Sequence, residues 1–125
     1  MSNEQPNMEQ KNDPLSEKSF SFSLHIIKLH KYMQSQYIEF ILSKQVLRSG
    51  TAIGALIREA KYAQSKADFL NKLMIALKEA NETKYWLELL HHSGFINEKM
   101  YHSIIPEIDS LLKLLIASTK TTKKV

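Results

Sequence analysis

The sequence predicts an all-α protein, an antiparallel up-down-up-down four-helix bundle. Three observations carry this. Apolar residues recur at steps of three and four along four long stretches, the period of one helix face. Only three Gly and three Pro occur in 125 residues. An all-β chain, with a turn every 8–12 residues or so, would need more. The breaks between the four stretches are short, so consecutive helices must fold back on one another.

Residues 1–15 are polar and lack periodicity, the composition of a disordered tail. Asp13, Pro14 and Ser16 then offer helix-start chemistry. A first helix is predicted from about 16 to 34. Its inward stripe is Phe22, Ile26, Leu29 and Met33, continuing to Tyr37 and Phe40, with Phe20, Leu24 and Ile27 widening it. A break is expected near 34–38, where Ser35 is the best available N-cap. The second helix runs to about Ala63, with Leu42, Val46, Gly50, Ile53, Ile57 and Ala60 facing inward.

Ser65 followed by Asp68 resembles a capping box and opens a third helix over 66–92. Phe69, Leu73, Ala76, Ala80, Thr83, Leu87 and Leu90 form its heptad seam. Gly94 stands where a C′ glycine belongs, with Phe95 as the apolar contact of a Schellman-type stop. Asn97 can cap a fourth helix, whose stripe is Tyr101, Ile104, Ile108, Leu111 and Leu115. Pro106 falls inside it and should kink or restart it. The bundle is thus expected over 16–118, followed by a frayed basic tail over 119–125.

The third helix carries more apolar surface than one bundle core needs. Leu70, Ile75, Leu77, Tyr85, Trp86 and Leu89 spread around its circumference. A helix apolar nearly all round is buried on more than one side. Ile75, Tyr85, Trp86 and Leu89 are therefore the candidate oligomer contacts.

Composition narrows the function classes. With no Cys there is no disulfide framework and no thiolate metal site. The N-terminus lacks the basic start and apolar run of a signal peptide. No stretch approaches the roughly 18 apolar residues of a membrane span. The expectation is a cytoplasmic protein without a membrane partner. The net charge of +4 is unevenly placed: residues 20–78 carry nine bases and three acids, and 79–109 carry two bases and six acids. The basic segment permits a polyanionic partner.

Two blocks, "QVLRSGTAIGALIREA" and "SKADFLNKLMIALKEANETKYWLELL", resemble the bacterial four-helix-bundle family of 23S rRNA intervening-sequence proteins. Gln45, Arg48, Ser49, Gly50, Thr51, Ile53, Gly54, Ile57, Glu59 and Ala60 match its first motif. Asp68, Phe69, Lys72, Leu73, Ile75, Ala76, Glu79, Thr83, Trp86 and Leu90 match its second. Ala52 and Leu56 depart from it, standing where Ser and Asn are usual. The resemblance implies a bundle that assembles as a ring, commonly a homopentamer, with no established enzymatic activity. A related branch is the accessory protein of diversity-generating retroelements, which engages a reverse transcriptase and nucleic acid.

Three constellations could carry function. Arg48 with Glu59, Glu79 and Glu82 reads as an ion-pair network fixing helix register, or as a phosphate or partner contact at Arg48. Lys44, Arg48, Arg58 and Tyr62 form an outward stripe on the second helix, with Lys61 and Lys66 nearby. Such a stripe is an ordinary solvated face or an oligomer contact, or a track for a nucleic-acid backbone. Glu88-x-x-His91 has the spacing of a di-iron bundle, but the required second copy is absent and no metal site is expected. No nucleophile elbow or phosphate loop occurs, so no catalytic residue, cofactor or small-molecule substrate is assigned.

The favoured expectation is a non-enzymatic, ring-forming bundle that binds RNA or a ribonucleoprotein. The alternative is a protein-protein adaptor. Gln45, Ser49, Gly50, Gly54, Glu59, Glu79 and Glu82 are read as the structural signature. Gly50 and Gly54 form a packing notch, since small residues four apart let a neighbouring helix approach closely.

Overall fold

A computed structural model describes residues 13–37 and 41–124. Residues 1–12 of the expected tail, and the place of Phe40, lie outside these residues, while Pro14 and Leu15 of that tail already belong to the first helix. Four helices follow one another: α1 Pro14–Tyr37, α2 Ile41–Lys61, α3 Lys66–His92 and α4 Glu98–Lys124. No strand occurs among the described residues.

The helix ends follow from local chemistry. Asp13 caps α1: its carboxylate accepts from the Ser16 N–H at 3.1 Å and from the Ser16 hydroxyl at 2.6 Å. Pro14 fills the first helical position, where a missing N–H costs nothing. Ser35 is not a cap. It lies inside α1 and its hydroxyl donates to the Tyr32 carbonyl at 2.9 Å. The break therefore comes later than expected, and α2 starts at Ile41.

Ser65 caps α3 by accepting from the Asp68 N–H at 3.0 Å, while Asp68 reaches back to the Gln64 N–H at 3.1 Å. At its other end the Phe95 N–H donates to Leu90 and the Gly94 N–H to His91. Gly94 has φ 88°, so the full Schellman pair closes α3 with glycine in the left-handed region. Asn97 accepts from the Met100 N–H at 2.9 Å and opens α4.

Two expectations for α4 change. Pro106 lies within one continuous helix rather than at a restart. The helix also runs past residue 118 to Lys124, and Thr119 is buried.

Each helix packs on its neighbour in sequence, and α1 packs on α4; across the diagonals no Cα pair comes within 8 Å among the described residues. The section is thus a square. Side-chain pairs fix the directions. Asp13 meets Lys61 and Gln34 meets Ser43, so α1 and α2 run antiparallel. Arg48 meets Glu82 and Glu59 meets Lys72 across α2 and α3. Lys84 meets Asp109, and His91 meets Glu98, across α3 and α4. His25 meets Glu107 and closes the square. The bundle is up-down-up-down.

The predicted stripes meet at its centre. Phe22, Ile26 and Met33 of α1, Val46 and Ile53 of α2, Leu87 and Leu90 of α3, and Ile108, Leu111 and Leu115 of α4 are fully buried. Each such side chain contributes about 1.5–3 kcal/mol. Phe20, Leu24 and Ile27 do not join them. They are 60%, 51% and 36% exposed, and stand on the outside of α1.

The two glycines of α2 differ. A Cβ on Gly50 would lie 2.9 Å from Cγ1 of Ile26, so α1 and α2 touch there through glycine. A Cβ on Gly54 would sit 3.4 Å from the Ser23 hydroxyl, an ordinary contact. The notch is Gly50 alone.

Candidate functional site

The functional candidates divide between two faces that share α2. On the α2/α3 face, Gln45, Arg48, Ala52, Leu56 and Glu59 step along α2 at intervals of three and four. Ile75, Glu79, Glu82, Trp86 and Leu89 do the same on α3. The Arg48 guanidinium joins the stripes, donating to Glu79 at 3.2 Å and, closer still, to Glu82. Glu82 also accepts from the Trp86 indole N–H at 2.9 Å. That bond, together with Arg48, outweighs partial burial and holds the Glu82 carboxyl below its usual range. Glu79 and Glu82 in turn hold Arg48 firmly protonated, the Glu82 bond most of all.

Glu59 does not join this cluster. It lies three turns along α2 and pairs with Lys72 at 3.3 Å. Ser49 is buried behind Arg48, its hydroxyl 2.8 Å from that of Thr83. This buried polar pair was not predicted. A Thr inside an apolar seam, level with a Ser on the adjacent helix, is the signal that would have shown it. Leu56, at the position where the family usually has Asn, packs against the core.

Of the four oligomer-contact candidates, Tyr85 is 54% exposed, while Ile75, Trp86 and Leu89 are half-buried at the edge of this face. Leu77 and Trp86 pack against the core of their own chain.

The second face lies between α1 and α2. Phe20 and Ile27 from α1, with Gly54, Ala55 and Arg58 from α2, line a groove of about 500 Å³ whose floor is Ser19, Ser23 and Thr51. The small residues make the groove, and the exposed apolar run of α1 borders it.

Between the two faces runs the outermost stripe of α2. Lys44 and Arg58 are exposed and have no ion-pair partner among the described residues, and Tyr62 is 81% exposed. Arg48 stands on the same stripe but is committed to two carboxylates. Lys61 bonds Asp13 at 3.2 Å. Burial raises the Asp13 carboxyl, but its bonds from Ser16 and Lys61 win and hold it low. Lys66 is exposed at the start of α3.

The Glu88–His91 pair belongs elsewhere. His91 spends Nε2 on Glu98 at 2.7 Å and stacks on Tyr101 with ring centroids 4.0 Å apart. No group of three or more metal-capable side chains is found among the described residues. No helix among them is long and apolar enough to cross a membrane.

Comparison with known proteins follows the same lines. The family described as 23S rRNA-intervening sequence protein matches residues 11–117. A crystal structure of a protein of unknown function from the S23 ribosomal protein family of Bacteroides thetaiotaomicron is similar, with a TM-score of 0.83 and 53% identity. The match covers 85% of this chain and 98% of that one. No curated protein matches the chain.

Proposed function

The chain belongs to the 23S rRNA-intervening sequence protein family, and from that premise we propose that it is a non-enzymatic, self-assembling bundle that binds RNA or a ribonucleoprotein. The observation that carries the RNA reading is the α2 stripe. Lys44 and Arg58 stand exposed without ion partners, and Tyr62 offers an exposed ring beside Arg58. Free cations track phosphates, and an exposed aromatic accepts a stacked base. Arg48 is left to its structural role, because two carboxylates already neutralise it.

Filter binding of structured RNA across a salt series tests this. Binding that is tight at low salt and weakens steeply as salt rises supports it. No retention at low salt overturns it. An adaptor role is favoured by one different observation, the exposed apolar run of Phe20, Leu24 and Ile27. Co-purification of one stoichiometric protein partner, with no nucleic acid, would select it.

A further inference from the structure

We propose that the cavity between the start of α1 and the end of α2 is a pocket for an unpaired guanine of the bound RNA. This rests on the RNA reading above and names the base that the site takes.

The cavity measures about 690 Å³ and is lined by Ser16, Glu17 and Phe20 of α1 and by Arg58, Lys61 and Tyr62 of α2. Spacing brings these residues together. Asp13, Glu17 and Phe20 step by four and three along α1, and Arg58 and Tyr62 stand four apart on α2, so each set shares a helix face. Lys61 bonds Asp13 at 3.2 Å and holds the two helix ends side by side. Two polar groups of the lining are thereby spent, Lys61 on Asp13 and the Ser16 hydroxyl on the same carboxylate at 2.6 Å. Two others are not. The Glu17 carboxylate and the Arg58 guanidinium belong to exposed side chains, with no hydrogen-bond or ion-pair partner among the described residues.

The rings of the lining are also unspent. Phe20 is 60% and Tyr62 81% exposed, and they come from opposite helices. An acid in the first turn suits the helix dipole, which alone would account for Glu17. It does not account for two exposed rings on the same cavity, with an unpaired cation beside them. A planar base entering there covers apolar surface on both rings, the usual way a single strand is held.

The free carboxylate then selects which base. A carboxylate only accepts hydrogen bonds. An unpaired base is read on its Watson–Crick edge. On guanine that edge carries the N1–H and N2–H donors side by side, one for each carboxylate oxygen. Adenine and cytosine set a single amino group beside a bare ring nitrogen, which repels the second oxygen. Uracil sets one N–H between two carbonyl oxygens. Glu17 therefore favours guanine, and Arg58 is left for the adjoining phosphate.

Fluorescence anisotropy at low salt, with the labelled RNA pentamers UUGUU, UUAUU, UUCUU and UUUUU, tests this. The guanine pentamer should bind about tenfold more tightly than the other three. Inosine in its place, which lacks the N2 amino group, should lose most of that preference. In Glu17→Gln the ratio of guanine to adenine affinity should fall to near one, with the melting temperature of the parent. An unchanged ratio in that variant, equal binding of all four pentamers, or binding of structured RNA but of no pentamer would each overturn the pocket and leave the RNA reading standing. Displacement of the guanine pentamer by an equal concentration of GMP would keep the base pocket and overturn its assignment to RNA. Failure of both the pentamers and structured RNA to bind at low salt would overturn the two readings together.

Discussion

At the scale of single residues, the two glycines of α2 make opposite predictions. Gly50→Ala places a methyl 2.9 Å from Cγ1 of Ile26, a branched side chain with no exposure. Overpacking of this kind costs about 1–3 kcal/mol, more than the gain of about 1 kcal/mol in helix propensity. Gly54→Ala meets only ordinary contacts, so the propensity gain survives. Thermal melts should therefore move down for Gly50→Ala and up for Gly54→Ala. Equal shifts of one sign would refute the distinction. The sequence showed both glycines as one notch, because spacing along a helix cannot say which of two small residues faces a branched neighbour.

Glu82 supplies a pH dependence at the same scale. Its carboxyl is held below the ordinary glutamate value of 4.5 by Trp86 and Arg48. A depressed folded pKa means that the native state binds the proton less readily than the unfolded chain does. Its contribution is complete above about pH 4.5 and is lost as pH falls through the lower folded value. The carboxyl is partly exposed, so the effect is small. Glu82→Gln should lower the melting temperature at neutral pH and lose less of it between pH 5 and pH 3 than the parent chain, by about one carboxylate's worth. Parallel acid curves for the two proteins would contradict this.

At the scale of elements, helix existence and caps were legible. Asp13, Ser65, Gly94 and Asn97 all take the roles their residue types suggest. The outer side of α1 was not. Phe20, Leu24 and Ile27 sit next to the true stripe in a helical projection, and an apolar residue beside a core stripe reads as core from sequence. Their exposure depends on the square section, which turns this arc of α1 out of the core, with Phe20 and Ile27 bordering the groove toward α2. The restart expected at Pro106 fails for a related reason. The proline is exposed on α4, and packing of Ile104, Ile108 and Leu111 on either side holds the helix through the missing N–H. Leu24→Glu separates the roles of α1. Since Leu24 is half exposed in the single chain, the monomer's helical content and melting should stay within about 0.5 kcal/mol of the parent. Its native mass should fall to that of one copy. A variant that unfolds would place Leu24 in the core instead.

At the scale of the whole molecule, the proposed self-assembly and RNA binding become one quantity. A single copy presents two free cations on the α2 stripe, too few for a steep salt response. The slope of log affinity against log salt is about 0.7 to 0.9 per phosphate neutralised. In the proposed assembly the stripes of several copies add, and linked contacts raise affinity without any new kind of contact. Leu24→Glu leaves Lys44, Arg58 and Tyr62 untouched, yet it should flatten the salt slope several-fold through loss of the proposed assembly alone. The paired variant Lys44→Glu with Arg58→Glu should do the reverse, abolishing retention of RNA while native mass stays that of the parent assembly. If the monomeric Leu24→Glu variant bound RNA with the parent slope, the phosphates would be read away from the α2 stripe, and the exposed lysines of α1 and α4 would be the next place to look.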